Sequence, residues 1–349
     1  MRSYSRWVRH FITCIGCCLV LSVSLPVMAE KTYELKFATL APVGSTWSDL
    51  LQEWADEVKA RSDGRLIFKI YPGGVQGDEP DVLKKIRFGQ LHGGAFTGYG
   101  IGHIYSPARA LELPFLYNDI DEIDFVRERF MEEIEQGYRD NGYEMLGWME
   151  VGFIYFFSRE PIRSLDDLQE RRIWHWQGDP IGKAFFDASG IAPVPLSIID
   201  VYTSLSTGLI DTVYCPPLGA IALQWFTKAR YLTDLPITYV IGTTVLSTKA
   251  FAKMNPGDQK IVREVMGRAN QLLDETSRSD NQEAREALAA QGVEFVEPPD
   301  ETRAKWDEIA ARATEKLISE RGYDPATLAE IDGLLEAYRT GEAAGPSGD

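Results

Sequence analysis

Residues 168–217 constrain the fold more tightly than any other stretch of the chain. Arg171 to Trp176 reads as a short strand, 180–190 as a helix, Val194-Pro195-Leu196 as a strand tip, and Asp200 to Thr207 as a second helix closed by Gly208. Two strand–helix units in succession predict an α/β sheet whose carboxyl ends gather loops in one place, and ligands bind at such places.

The alternation also runs through the N-terminal part. Tyr33 to Thr39 alternates as a strand, and Ser45 or Thr46 caps a helix over 47–61 with Trp47, Leu50, Leu51, Trp54 and Val58 on one stripe. Leu66 to Tyr71 is a further strand, 79–89 a helix and 93–99 a glycine-rich strand end, a pattern that predicts a parallel sheet flanked by helices. Gly93, Gly94, Gly98, Gly100 and Gly102 mark either a crowded turn or a cleft wall that a ligand approaches closely. No Gly-Lys-Ser/Thr ending follows them, so they do not form a phosphate loop.

Further along, 105–117 reads as a loop and 121–139 as an acidic amphipathic helix. Met145 to Phe157 is one long apolar strand, able to pass from one sheet into another or to lie plainly buried. Trp225 to Tyr231 reads as a short aromatic helix, and Thr238 to Ser247 as a strand. From Asn255 to about Gln291 scarcely a helix breaker occurs, and at 1.5 Å per residue such a helix spans ~50 Å, more than one small lobe. Residues 301–320 read as a last amphipathic helix, and the small, acidic tail as disordered.

At 349 residues and 44% hydrophobic composition the chain can bury two ordinary cores. Residues 1–29 have a basic start (Arg2, Arg6, Arg9), an apolar run from Phe11 to Leu25 and Val27-Met28-Ala29 before Glu30, the pattern of a cleaved export signal. The run falls short of the ~20 residues a membrane-spanning helix needs. Cys14, Cys17 and Cys18 would leave with the signal, so Cys215 would stand alone and no internal disulfide is expected. Removing those three arginines takes the formal charge from −16 to −19, with 33 basic residues against 52 acidic ones. A chain so acidic is a poor partner for nucleic acid.

Little in the sequence supplies catalysis. His92, His103 and His175 lack metal-ligand spacing, and the adjacent acids Asp78-Glu79 and Asp166-Asp167 suit helix starts better than acid/base work. Cys215 with His175 is the one pair that could form a nucleophile and base, as in an exported cysteine hydrolase. The apolar setting of Cys215, before Pro216-Pro217, argues against a reactive thiolate. No catalytic residue, cofactor or metal is expected.

Ser164-Leu165-Asp166-Asp167-Leu168, Arg172-Ile173 and above all Val201-Tyr202-Thr203-Ser204-Leu205-Ser206-Thr207-Gly208-Leu209-Ile210-Asp211 carry a family resemblance. Leu35-Lys36-Phe37-Ala38, Gly64-Arg65-Leu66, Tyr71-Pro72-Gly73-Gly74 and Leu113-Pro114-Phe115 extend it upstream. In these stretches the chain resembles the extracytoplasmic solute receptors of TRAP transporters, the DctP family. The resemblance implies a periplasmic, two-lobed binding-protein fold, each lobe a mostly parallel sheet flanked by helices, with a long helix across both. On this fold lobe I is expected at 30–152 and 241–280 and lobe II at 153–240 and 281–335, with the disordered tail at 336–349. The resemblance also implies a small-molecule ligand between the lobes, a small and a large integral membrane subunit as partners, and room for an accessory periplasmic protein.

Departures from the family pattern bear on the ligand. Where these receptors usually carry an arginine that pairs with a ligand carboxylate, this chain has Trp174, and a second arginine of some members corresponds to Ile154. A frequent asparagine corresponds to Cys215, and polar anchors of the first lobe to Leu40 and Thr97. A hydrogen bond to a charged group contributes ~1.5–3 kcal/mol, and enclosing an unpaired carboxylate costs several. The expectation is a largely apolar or aromatic ligand, walled by Trp174 and Trp176 on one strand face with Ile154, Tyr155, Tyr99, Tyr214, Cys215, Leu40 and Thr97 around them, and with His175 facing away. The alternative is a small carboxylate held by a non-standard cation, for which Arg172, Arg159 and Lys183 are the candidates.

Overall fold

Strands form wherever β-branched and aromatic residues alternate or run together. They are β1 (Tyr33–Ala38), β2 (Leu66–Tyr71), β3 (Gly93–Thr97), β4 (Tyr143–Ser158), β5 (Trp174–Trp176), β6 (Val194–Leu196), β7 (Thr212–Cys215), β8 (Tyr231–Thr233), β9 (Thr238–Ser247) and β10 (Glu294–Val296). The computed structural model describes residues 31–342, so the export signal expected at 1–29 lies outside the described residues.

The strand order β2-β1-β3-β9-β4 makes the first half of a curled sheet, and β4 continues into β8 and β10, with β7 also on β4. β5 and β6 form a separate parallel pair. β1 runs parallel to β2 and β3, and β8 to β10, whereas β9 is antiparallel to β3 and β4, and β4 to β7 and β8. The sheet is therefore mixed rather than mostly parallel. One strand carries the chain out across the molecule and another brings it back, and two neighbours running in opposite directions pair antiparallel.

β4 is the continuous member. It pairs with β9 as far as Ile154 and with β7 and β8 from Tyr155 onward, and its register shifts between Met145 and Gly147 and between Glu150 and Gly152. Gly152 lies at the second shift with φ +115, a backbone state that side chains disfavour, and a Cβ there would meet Asn281 at 2.8 Å.

Three buried clusters surround this strand. The first gathers Leu35, Phe37, Trp54 and Phe68, the second Phe157, Trp174, Val201 and Trp225, and the third Phe96, Phe130, Phe156 and Trp306. The helix Pro256–Ala290, capped by Asn255 with a proline in its first turn, gives Val262, Met266 and Leu273 to the first core and Leu288 to the second. It is the element expected to run the length of the molecule.

Four local readings change. The stretch expected as a loop at 105–117 contains a 3-10 helix, Ser106–Glu112. The aromatic helix expected over 225–231 shrinks to Trp225–Thr227, because Tyr231–Thr233 is taken up between β4 and β10. The helix Asp300–Arg321 is not the last: Pro325–Thr340 follows, capped by Asp324, with Leu328, Ile331 and Leu335 buried at helical spacing. Residues 336–340, expected in the disordered tail, are helical. Tyr338 packs on Phe125 at 5.2 Å, and Arg339 pairs with Glu122 at 2.6 Å, which tie this end to the helix Ile120–Asp140.

Candidate ligand cavity

Because β5 alternates, Trp174 and Trp176 share one face and both line a cavity of about 220 Å³. Trp174 stacks on Tyr214 at 4.8 Å, meets Trp225 edge-on at 5.3 Å and lies 5.7 Å from Trp176. Its indole N–H donates to the Leu196 carbonyl at 3.0 Å, so the ring is fixed at its polar edge and presents carbon to the cavity. Tyr99 approaches Trp176 at 5.0 Å. The second sheet half contributes Cys215, and the first Leu40, Thr97, Phe96, Met149 and Ile154.

Eight of the nine residues singled out in the sequence line this one cavity. Tyr155 does not. As the neighbour of Ile154 on β4 it points to the opposite face, where its ring meets Arg285 at 5.2 Å. His175 also faces away and packs on Phe186 at 5.9 Å. Cys215 and His175 are thus on different sides of their strands, and burial pushes the Cys215 thiol well up, away from a reactive thiolate. Among the described residues no cluster of three or more His, Cys, Asp or Glu could hold a metal ion.

The three candidate cations are engaged elsewhere. Arg172 is paired with Asp211 at 3.1 Å, Lys183 with Asp187 at 2.8 Å, and Arg159 donates to the Leu205 carbonyl; none lines the cavity. A different arginine does. Arg109, 5% exposed on the 3-10 helix, reaches the wall with Glu112 at 2.7 Å from its Nε and Asp179 at 3.0 Å from its Nη2. Burial opposes its charge, and the two carboxylates outweigh burial and raise its pKa. Its one sequence signal was an Arg–Glu pair at i,i+3 inside the otherwise apolar run 108–113, which a loop assignment concealed.

Glu79 is the other concealed wall residue. It accepts from the amides of Thr97 at 2.7 Å and Gly100 at 2.6 Å, and burial, opposed by the Thr97 amide and aided by neighbouring Asp78, pushes its pKa up to about 8. It is therefore mostly protonated at neutral pH. The glycine run gives room to carboxylates of the protein rather than to a ligand. A Cβ at Gly98 would sit 1.8 Å from Glu112, and one at Gly100 2.7 Å from Glu79.

The two sides of the cavity are also joined across it. Asp78 caps the helix Glu79–Arg87, as its sequence position suggested, and its other oxygen accepts from Trp176 Nε1 at 3.0 Å, Ser197 Oγ at 2.5 Å and the Ile198 amide at 3.3 Å. Tyr99 donates its hydroxyl to the Gln177 carbonyl at 2.7 Å.

Comparison with known proteins agrees with this architecture. The sialic acid-binding periplasmic protein SiaP of Vibrio cholerae is 24% identical over 292 residues, covering 80% of this chain and 87% of SiaP. The sugar acid binding protein DctPAm of Advenella mimigardefordensis, solved with galactonate, superposes with a TM-score of 0.80 at 20% identity, over 89% of this chain and 99% of that one. A TRAP periplasmic solute binding protein of Pseudomonas putida F1, solved with D-glucuronate, gives 0.78 at 23% identity, over 86% and 97%. Residues 37–321 match the model of the bacterial extracellular solute-binding protein family 7, DctP, and the chain belongs to that family of TRAP-type periplasmic solute receptors, which are not enzymes.

Proposed function

We propose that this receptor carries a largely apolar or aromatic molecule in the cavity bounded by Trp174 and Trp176, and hands it to the small and large membrane subunits of a TRAP importer. The observation that carries the reading is the wall itself, in which Trp174, Trp176, Tyr99, Tyr214, Phe96 and Ile154 stand where an acid-binding site needs unpaired cations. Enclosing apolar surface contributes ~25 cal/mol per Å², and each aromatic wall offers roughly 150–250 Å². A cavity of about 150 Å³ already holds benzene, so about 220 Å³ suits a substituted single ring or a small bicycle.

The named relatives bind sialic acid, galactonate and glucuronate, all carboxylates rich in hydroxyls. Buried Arg109 favours a carboxylate for this chain too, but two carboxylates already hold it. In this reading residues 1–29 are a cleaved export signal, and the lobes are 30–152 with 241–280 and 153–240 with 281–335. They close about β4, Gly152 and the long helix.

A thermal-shift screen of the purified mature protein tests the ligand class. Aromatic and aliphatic compounds of one or two rings are expected to raise the melting temperature. A rise with dicarboxylates or sialic acid, and none with the apolar set, would reject the reading.

A further inference from the structure

Arg109 is the one charged nitrogen-bearing side chain of the cavity wall among the described residues. Its Nε faces Glu112 and its Nη2 faces Asp179, while Nη1 is buried without a partner. Asp179 belongs to the other side of the cavity, as the cap of the helix Pro180–Ser189, where its oxygens also accept from the amides of Ile181 at 3.4 Å and Gly182 at 3.3 Å. That helix start stabilises its negative charge in place. Glu112 is fixed as firmly, by the Ile241 amide at 2.7 Å.

We infer that Asp179 sets the charge specificity of this cavity: it occupies, from within the protein, the side of Arg109 that a ligand carboxylate would take, so the site accepts uncharged molecules and refuses the corresponding acids. The inference rests on the apolar reading above and narrows it to an uncharged ligand.

The charges carry the argument. The one guanidinium is already paired with Asp179 and with Glu112, whose pKa burial pushes up to about 7 against the pull of Arg109, so a ligand carboxylate would enter a buried site with no cation to spare. Protonated Glu79 offers no relief, since it adds no positive charge. To displace Asp179, a ligand acid would have to break its contacts with both the guanidinium and the helix amides. A neutral molecule needs no cation, and it leaves the contacts of Asp179 with the guanidinium and the helix amides intact.

The test uses the mature protein and matched pairs that share an apolar body: benzamide and benzoate, indole-3-carboxamide and indole-3-carboxylate, hexanamide and hexanoate, with affinities from titration calorimetry. Each amide is expected to bind at least tenfold tighter than its acid. In Asp179→Asn, which keeps the helix cap, that ratio is expected to fall by tenfold or more; Glu112→Gln, measured alongside in case the first variant folds poorly, moves it the same way. Acids that bind the wild type as tightly as amides, or a ratio unchanged in the folded variants, would overturn the inference and leave the apolar reading intact. No binding by any of the six compounds overturns both.

Discussion

Glu79 is a carboxyl group enclosed by protein, only 2% exposed, and its ionisation sets a testable pH dependence. The unfolded group ionises near 4.5 and the folded one near 8, chiefly through burial, so the folded chain keeps a proton that the unfolded chain releases. Stability drawn from this group is complete below about pH 4.5, declines through the window, and is gone above about pH 8. Glu79→Gln removes that slope. Between about pH 5 and about pH 9 the wild type is expected to lose several degrees of melting temperature relative to the variant, and parallel curves would contradict it. The sequence could not have supplied this residue's role. An acid at a helix start is ordinarily solvated, and only the approach of Thr97 and Gly100, about twenty positions away, encloses it. Trp174 and Trp176, by contrast, were legible because the two-residue period of a strand assigns both to one face whatever the tertiary packing does.

At the scale of elements, the helix Glu79–Arg87 and the β5–β6 pair are fastened across the cavity through Asp78. A hydrogen bond to a charged group contributes ~1.5–3 kcal/mol, which is comparable with the few kcal/mol that separate the conformations of a two-state protein. Asp78→Asn retains the helix cap but turns an amide toward the Trp176 N–H. It is expected to leave the ligand-free melting temperature close to wild type, to enlarge the radius of gyration of the ligand-saturated protein measured by small-angle scattering, and to weaken binding about tenfold or more. A scattering profile and affinity like the wild type's would show that Asp78 only caps its helix. Elements with strong local signals were the legible ones. β2, β6, β9 and the long helix fall within a residue or two of their sequence limits. The 3-10 helix that carries Arg109 was not legible, because it lacks a 3.6-residue period; the helix Pro325–Thr340 was missed although Asp324-Pro325 and the spacing of Leu328, Ile331 and Leu335 are ordinary helix signals, and its last turn is held by Arg339–Glu122 and Tyr338–Phe125, contacts to a segment some two hundred residues away.

Across the whole molecule, family membership and ligand class separate. The motifs in 164–211 that carry the resemblance lie inside residues 37–321, which match the family. Ligand class depends on which side chains the closed cavity brings together, and there the sequence foresaw the aromatic wall but not the buried Arg109–Glu112–Asp179 set opposite it. The proposed selectivity is that an aromatic enclosure with a self-neutralised arginine takes an uncharged, mostly apolar molecule. Mass spectrometry of the small molecules released by denaturing receptor purified from its periplasm tests it most directly. The expected release is a neutral aromatic or aliphatic compound at near-stoichiometric amount; a sugar acid or dicarboxylate in its place would contradict the proposal.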